Sequence, residues 1–275
     1  MICNLYIKDI KAISKLLEDL WNIDLSHFTY VILKIKLEQF CDKYKIQNVK
    51  LLENRIETSP LIKEDLLIYL YSDGFELFRD PSFWRTLKED ILKNINTNLP
   101  FRVLFPACHQ GAELLSFLML RDVLGLTDKV SVMYSYHHQK LNQVKNGFNF
   151  DERKHQLNLS NYKRINGEEL PEKYLRFESN KLIPSSDLFI NTVAFHDLEI
   201  ASDLNKSVNG VIYRNKLLNY KRNIQNEIIS GLATKIKSGG FLALGIKEQI
   251  LKDSNKELLT MINKKESIYK KKNVV

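Results

Sequence analysis

One segment, residues 101–120, restricts the fold more than any other, because a short apolar run there turns at a glycine into an amphipathic stretch. The run from Phe101 to Phe105 is rich in the Val, Leu and Phe typical of a buried strand. Apolar residues then recur at helical spacing at Leu114, Leu115, Leu118 and Met119. A strand that turns sharply into a helix presents backbone N–H groups at the carboxyl edge of a sheet, where α/β folds bind nucleotides. Because the turn Cys108-His-Gln-Gly111 holds one glycine instead of three, it fits either such a site or a plain structural turn.

Strands and helices alternate along the rest of the chain. Apolar runs predict strands at residues 129–135, 187–195, 208–213 and 241–245, with helical patterns near residues 140–147 and 222–237. This alternation favours a doubly wound, mainly parallel α/β sheet. The strand ends at Ser135, His196-Asp197 and Arg214-Asn215 are therefore expected to meet the Cys108–Gly111 turn along one edge of the sheet.

The N-terminal quarter has a different character, because residues 9–71 show a helical pattern and no strand pattern. We predict a bundle of about four helices, with start signals at Ser26 and at Ser59-Pro60. The lysines on the second of these helices, Lys34, Lys36 and Lys43, form a mildly basic face. Such a face is usually plain solvent-exposed surface and is less often a docking surface for an acidic helix.

The pattern changes at Asp73, where an aromatic loop begins that carries Arg79 between Phe78 and Asp80. Taken alone, Arg79 is better explained as a salt-bridged anchor than as a ligand contact. Further along, residues 173–178 and 181–184 predict a β-hairpin turning at Ser179-Asn180. We therefore divide the chain into an all-helical domain, residues 1–72, and an α/β domain, residues 73–275, with a small β insertion at about 148–185.

Composition excludes several classes of function. The chain has 275 residues, 44% of them hydrophobic and 27% charged, as in an ordinary soluble globular protein. Its three cysteines are far apart and match no metal spacing, so we expect neither a disulfide framework nor a metal site. No leader and no run of 18 apolar residues is present, which predicts a cytoplasmic protein without membrane insertion.

The net charge of +8 comes mainly from lysine, with no arginine-rich stripe of the kind that binds nucleic acid. We therefore expect no nucleic-acid partner. The densest lysine cluster, residues 264–272, is expected to be a solvated, partly frayed tail.

Four sequence blocks, in order, resemble those of the chemotaxis receptor methyltransferases, the CheR family. The blocks are Phe78-Arg-Asp-Pro-Ser-Phe-Trp84, Ala107-Cys-His-Gln-Gly-Ala-Glu-Leu-Leu-Ser116, Val211-Ile-Tyr-Arg-Asn-Lys-Leu-Leu-Asn-Tyr220 and Ser238-Gly-Gly-Phe-Leu-Ala-Leu-Gly-Ile-Lys-Glu248. The resemblance implies an N-terminal helical domain joined to a Rossmann-like methyltransferase domain with a small β-subdomain. It also implies methyl transfer from S-adenosylmethionine to glutamate side chains of a receptor or signalling helix, with Lys34 and Lys36 on the helix that contacts it.

The resemblance implies site residues as well. Arg79 matches an arginine beside cofactor and substrate, Gly111 the motif glycine, Glu113 a motif carboxylate, and Arg214-Asn215 the pair at a strand end beside the cofactor. Other cofactor-binding positions depart from the family pattern, namely Asp73, Phe75, Ser135 and Asp197, the last followed by Leu198. The family's active-site tyrosine falls on Asn219, next to Tyr220, and a register shift of one residue there restores a hydroxyl.

Two functions follow from these matches and departures. The first is a CheR-like protein-glutamate O-methyltransferase acting in chemotaxis-type signalling. The second is a methyltransferase fold kept as a scaffold, without catalysis, that binds a signalling partner; Phe75, Ser135 and Asn219 motivate it, because a lost charge-assisted hydrogen bond weakens cofactor binding by about 1.5–3 kcal/mol.

Overall fold

The structure, a computed structural model, describes residues 3–71, 75–108, 110–136, 143–196 and 207–273. The chain divides into two compact units. The helical unit comprises Met1–Ser72 and Lys216–Gln225, and the sheet unit comprises Asp73–Asn215 and Asn226–Val275. The division into domains 1–72 and 73–275 stays a prediction, and residues 216–225, which we had counted with the α/β domain, belong to the compact unit of the helices.

Within residues 3–71 the helical unit contains four helices, α1 (Ile7–Trp21), α2 (Tyr30–Lys43), α3 (Val49–Thr58) and α4 (Pro60–Tyr71). Thr29 caps α2, because its hydroxyl accepts the Ile32 N–H. The start signal expected at Ser26 was therefore wrong: its N–H and hydroxyl both donate to Asp24 in the preceding turn. The signal at Ser59-Pro60 was correct, since α4 begins at Pro60.

The basic face expected on α2 is broken at its centre. Lys36 is buried beside the core residues Leu33, Leu37 and Phe40, so it cannot belong to an exposed stripe. Lys34 contacts Glu38 at 3.6 Å, and the Lys43 ammonium lies over two tyrosine rings. The exposed surface of α2 therefore carries less positive charge than the three lysines in its sequence indicate.

The sheet unit alternates strands with helices. Its short helices and turns are α5 (Pro81–Thr86), a π-helical turn (Leu87–Ile91), and 3₁₀ turns at Leu92–Asn94, Gln143–Lys145 and Ser186–Phe189. The strands are β1 (Phe101–Phe105), β2 (Val130–Tyr136), β3 (Phe148–Asn149), β4 (Leu175–Glu178), β5 (Lys181–Pro184), β6 (Thr192–His196), β7 (Val208–Ile212), β8 (Ile236–Ala243), β9 (Leu259–Asn263) and β10 (Ile268–Lys271). The longer helices are α6 (Ala112–Val123), α7 (Glu152–Asn166) and α8 (Arg222–Lys235), and α9 spans Asp253–Leu258. The first residues of α8, up to Gln225, belong to the helical unit. A 3₁₀ turn at Leu217–Asn219 lies in the helical unit.

Seven of the described strands form one sheet in the order β6-β2-β1-β7-β8-β10-β9. The pairs β2–β6, β1–β2, β1–β7 and β7–β8 are parallel, and β10 is antiparallel to β8 and β9. The carboxyl ends of β1, β2 and β7 therefore meet at one edge. This confirms the predicted mainly parallel α/β sheet of Rossmann-like type.

Strand β1 and helix α6 form the centre of the core. Nearly every residue of α6 is buried, and Phe105 packs on Phe117 with ring centroids 5.2 Å apart. Trp84 and Phe83 of α5 are fully buried in the same cluster. Because α5 follows the loop that carries Arg79, this packing fixes one end of that loop to the sheet unit.

Two expectations about the chain were wrong, and one was correct. Residues 264–272 include β10, with Ile268 and Tyr269 buried between two strands, so this segment is not a frayed tail. The helix α7 was missed, although Asp151 at its N-cap and Gly167 at its C-cap are ordinary signals. The hairpin is present as β4 and β5, and Ser179 and Asn180 both have the positive φ of a two-residue turn.

Candidate active site

The turn after β1 requires glycine at residue 111 for two reasons. Gly111 is the N-cap residue of α6 and has φ +78°, a left-handed conformation that L-residues avoid. A Cβ at this position would also lie 1.4 Å from Cγ2 of Val144, which packs against the turn from the 3₁₀ turn 143–145. The predicted role of Gly111 at the cofactor stays a prediction, and close packing explains the residue by itself.

The end of β2 is closed by hydrogen bonds to the same turn. The Ser135 hydroxyl accepts the Ala107 N–H at 3.0 Å, and the Ser135 carbonyl accepts the Cys108 N–H at 2.6 Å. Ser135 is buried, and Ala107 is held at φ +52°. The hydroxyl at this position therefore fastens the β1 turn to β2.

The end of β7 carries a buried arginine that joins three parts of the sheet unit. The Arg214 guanidinium donates to Asp80 Oδ2 at 2.6 Å, to Glu113 Oε1 at 2.9 Å and to the Arg79 carbonyl at 3.4 Å. It also lies 3.9 Å from the centre of the Phe83 ring. The Arg214 side chain is fully buried, so these contacts are little screened by water.

The loop before α5 is held by hydrogen bonds on both sides of Arg79. The Phe78 N–H donates to the Ser116 hydroxyl at 2.8 Å, and the Trp84 indole N–H donates to the Arg79 carbonyl at 2.9 Å. Phe78 and Asp80 both have positive φ, of 52° and 57°. The Arg79 backbone is therefore fixed, while its half-buried guanidinium makes no ion pair or hydrogen bond with any residue that the structure describes. Within that part of the chain, Arg79 is not a salt-bridged anchor.

A third carboxylate, Glu248, organises the edge next to Arg214, and sequence reasoning gave it no role. Glu248 Oε2 accepts the Asn215 N–H at 2.9 Å and the Gly245 N–H at 2.6 Å. Asn215 is left-handed, with φ +60°, and Glu248 is buried. A buried carboxylate needs hydrogen-bond partners of this kind. The position of Glu248 at the end of the fourth sequence block was the one feature of the sequence that could have indicated its role.

The predicted aromatic position, Phe75, lies against the small sheet of β3, β5 and β4. Its ring stacks on Phe148 of β3 at a centroid distance of 3.6 Å and an angle of 26°. Phe75 is thus part of the core packing of the sheet unit. Three further predicted cofactor residues, Asp73, Asp197 and Leu198, lie outside the residues that the structure describes.

The structure assigns the two remaining predicted site residues to the helical unit. The Asn219 carbonyl accepts the Thr29 N–H at 2.9 Å, and the Tyr220 ring stacks on Phe28 at 5.0 Å. Both contacts lie within that unit. A catalytic role for Asn219 or Tyr220 stays a prediction.

Comparison with known proteins decides the family. Residues 75–268, more than half of the chain, match the family model described as CheR methyltransferase, SAM binding domain. The chain belongs to the CheR methyltransferase family. A Pseudomonas putida protein named "Putative methyltransferase Cher3" is 23% identical over 234 residues, which cover 84% of each chain.

Solved structures give more distant matches to this CheR-family chain. It is similar to the CMeT domain of the citrinin polyketide synthase, with a TM-score of 0.40 and 13% identity over 83% of this chain and 50% of that one. It is also similar to the glycopeptide N-methyltransferase MtfA in complex with S-adenosylmethionine, with a TM-score of 0.34 and 13% identity over 63% of this chain and 51% of that one. The chain spans about half the length of these solved proteins.

S-adenosylmethionine is the cofactor of the domain that this family shares. The Gln110 side-chain oxygen is buried at the turn and has no hydrogen-bond partner among the described residues, so it can accept one from a bound ligand. A ribose-binding role for Ser135 stays a prediction, since the structure shows its hydroxyl engaged by the Ala107 N–H.

Within the described residues no helix is long and apolar enough to cross a membrane. The same part of the chain contains no group of three metal-ligating side chains.

Proposed function

We propose that the chain transfers a methyl group from S-adenosylmethionine to a carboxylate on another protein, a glutamate of a receptor or signalling helix in a chemotaxis-type pathway. One observation carries the proposal. Arg79 has a fixed backbone and a guanidinium that no described carboxylate engages, although Arg214 close by is engaged by two. A guanidinium in this state is suited to bind an incoming carboxylate.

The reaction needs orientation more than proton transfer. A glutamate side chain is already ionised at neutral pH, so no general base is required. S-adenosylmethionine supplies a methyl group on a sulfonium cation. On transfer, an acceptor oxygen would form a bond to the methyl carbon as the carbon–sulfur bond breaks, and the electron pair of the broken bond would remain on sulfur.

The chain's own groups then have two tasks. Arg79 binds one oxygen of the acceptor carboxylate and leaves the other aimed at the methyl group, which lowers the entropic part of the barrier. The Gln110 oxygen and the turn before α6 hold the cofactor. The acceptor therefore depends on one cation, and the cofactor depends on neutral groups.

The proposal is tested by incubating the protein with S-adenosylmethionine labelled at the methyl group and receptor-containing membranes from the source organism. We expect base-labile label on protein, as for a methyl ester. Arg79→Ala should lose at least about tenfold in kcat/KM, because a charge-assisted hydrogen bond is worth about 1.5–3 kcal/mol. Arg85→Ala is the matched control, since Arg85 is exposed and, among the described residues, donates to the Arg164 carbonyl alone. If the original protein incorporates no more label than Arg79→Ala, the proposal is wrong.

The alternative is a scaffold that binds a signalling partner without methyl transfer. The contact between the Ser135 hydroxyl and the Ala107 N–H supports it, because that hydroxyl is engaged within the protein. The scaffold predicts a partner complex that is indifferent to S-adenosylhomocysteine. A complex that forms only with this compound counts against it.

A further inference from the structure

The loop around Arg79 is held in a conformation that its residues do not prefer. Phe78, on one side of Arg79, is a bulky residue at φ +52°, and Asp80, on the other, is at φ +57°. Non-glycine residues rarely adopt this region, and aromatic ones are outliers there. Such backbone persists only where the surroundings hold it, and it is typical of functional sites.

Asp80 does not cap α5 with its side chain, although it is the N-cap residue. An aspartate at a helix N-cap normally accepts a backbone N–H of the first turn. Asp80 is at the N-cap of α5 and makes no such bond. Its carboxylate instead accepts from Arg214 Nη2 at 2.6 Å, across 134 residues of sequence.

Arg214 connects Asp80 to α6 and to the backbone of Arg79. Its Nη1 reaches both Glu113, in the first turn of α6, and the Arg79 carbonyl. The contact with the Arg79 carbonyl is the longest of the three, at 3.4 Å. The shorter, charge-assisted bonds to Asp80 and Glu113 therefore stabilise the guanidinium more. Because both carboxylates engage Arg214, an acceptor carboxylate finds Arg79 as its partner.

We propose that Asp80 is a positioning residue which, through Arg214 and Glu113, holds the loop so that Arg79 meets the acceptor carboxylate. Arg214 and Glu113 support the loop through these contacts. The kinetic consequence rests on the proposed function, whereas the structural consequence does not.

The test compares Asp80→Asn with Asp122→Asn. Asp80→Asn keeps the shape of the side chain and removes its charge. Asp122 is the matched control, because it too is an aspartate of the sheet unit that bonds a cation, Lys173 at 2.7 Å, on the far end of α6. Amide hydrogen exchange of residues 77–84 is measured in each protein, followed by steady-state methylation.

We expect exchange of residues 77–84 to accelerate at least about tenfold in Asp80→Asn and to remain unchanged in Asp122→Asn, since a charge-assisted bond is worth about that much. We expect kcat to fall about tenfold or more in Asp80→Asn, with KM for S-adenosylmethionine within about threefold of the original. In an Arg79→Ala background, Asp80→Asn should cause no further loss, because residues that act through one group are not additive. Asp80→Glu, which restores the charge, should recover part of the rate.

The outcomes separate this proposal from the proposed function. If the unmodified protein transfers no methyl group, the proposed function fails, and exchange of residues 77–84 still decides whether Asp80 holds the loop. Unchanged exchange in Asp80→Asn overturns the positioning role. In an active protein, a loss in Asp80→Asn that is confined to the KM for S-adenosylmethionine, or one that adds fully to that of Arg79→Ala, also overturns it.

Discussion

Two strand ends at the same edge of the sheet are stabilised in opposite ways. At the end of β7, Arg214 is surrounded by Asp80, Glu113 and the ring of Phe83. At the end of β2, Ser135 and its neighbour Tyr134 are neutral, and the contacts of Ser135 with the β1 turn are bonds to backbone N–H groups. The side that we assign to the acceptor thus has a charged network, whereas Ser135, on the side that the resemblance assigns to the ribose, contacts backbone groups of described residues.

The difference shows which losses a site of this kind tolerates. A buried arginine with two carboxylates fails as a whole if one member is removed, because an unpaired buried charge remains. A hydroxyl bonded to a backbone N–H can replace a carboxylate at a small cost to folding. The charged end is therefore constrained by stability, while the neutral end can change with an effect mainly on ligand affinity.

The largest expected effect comes from breaking the charged end. Arg214→Met should lower the free energy of unfolding by about 3–5 kcal/mol, because it leaves Asp80 and Glu113 together without a cation. Urea unfolding measures this loss, and Arg85→Met, at an exposed arginine, should change the value by less than about 0.5 kcal/mol. A loss below about 1 kcal/mol for Arg214→Met would show that the network is weakly coupled to folding.

The turn that joins the two ends gives the next effect. Gly111→Ala should cost about 3 kcal/mol, from the left-handed backbone and from overlap with Val144. Gly125→Ala is a matched control, since Gly125 has φ +65° and no atom within 4 Å of the position that an added Cβ would take, and it should cost about 1 kcal/mol. Equal costs at both positions would exclude the packing explanation for Gly111.

The neutral end can be given a charge. We expect Ser135→Asp alone to tighten the binding of S-adenosylhomocysteine little, since the Phe75 ring, which stacks on Phe148, still occupies a second predicted cofactor position. Ser135→Asp with Phe75→Thr should tighten it by about ten- to a hundredfold, more than the sum of the single changes. Calorimetry measures these affinities. A native dissociation constant of the order of micromolar, about −8 kcal/mol, would show that other groups already replace the missing carboxylate.

The smallest effect concerns Tyr134, whose buried hydroxyl has no hydrogen-bond partner among the residues that the structure describes. Tyr134→Phe should change stability at neutral pH by less than about 1 kcal/mol. Burial, with smaller contributions from Cys108 and Tyr136, raises the pKa of Tyr134 to about 12 from an ordinary value of 10.0. The folded state holds the Tyr134 proton more tightly than the unfolded state does. The contribution of this tyrosine to the free energy of unfolding is therefore complete below pH 10 and is lost between about pH 10 and 12.

Stability measured across that range should therefore fall less steeply in Tyr134→Phe than in the original protein. Tyr6→Phe, at an exposed position, is the control and should leave the slope unchanged. The idea fails if both variants have the slope of the original.

The sequence predicted the strand ends correctly and could not predict what their side chains do there. Ser135 and Arg214 were placed at one edge because parallel strands with intervening helices have few possible arrangements. Arg214 pairs with Asp80 across 134 residues of sequence, and Asp80 has a left-handed backbone. A local sequence pattern predicts neither of these features. The direction of the Ser135 hydroxyl is likewise set by the β1 turn.

Local composition also misled where tertiary contacts prevailed. The lysines around residues 264–272 indicated a solvated tail, yet Ile268 and Tyr269 supply the buried face of a strand. Lys36 is expected with Lys34 and Lys43 on a basic helix face, yet helix packing buries it. In both segments the charged residues hid the apolar positions that decide the fold.

The position of β10 has a consequence for how the sheet assembles. Since β10 lies between β8 and β9, β9 pairs in the described structure only with a strand that follows it in the chain. Until residues 268–271 are in place, β8 presents an open edge, and open edges promote association with other chains. Refolding at high protein concentration should therefore lose material to aggregation at this step, and a peptide that matches residues 264–272 should compete for the edge of β8 and slow the formation of the native sheet.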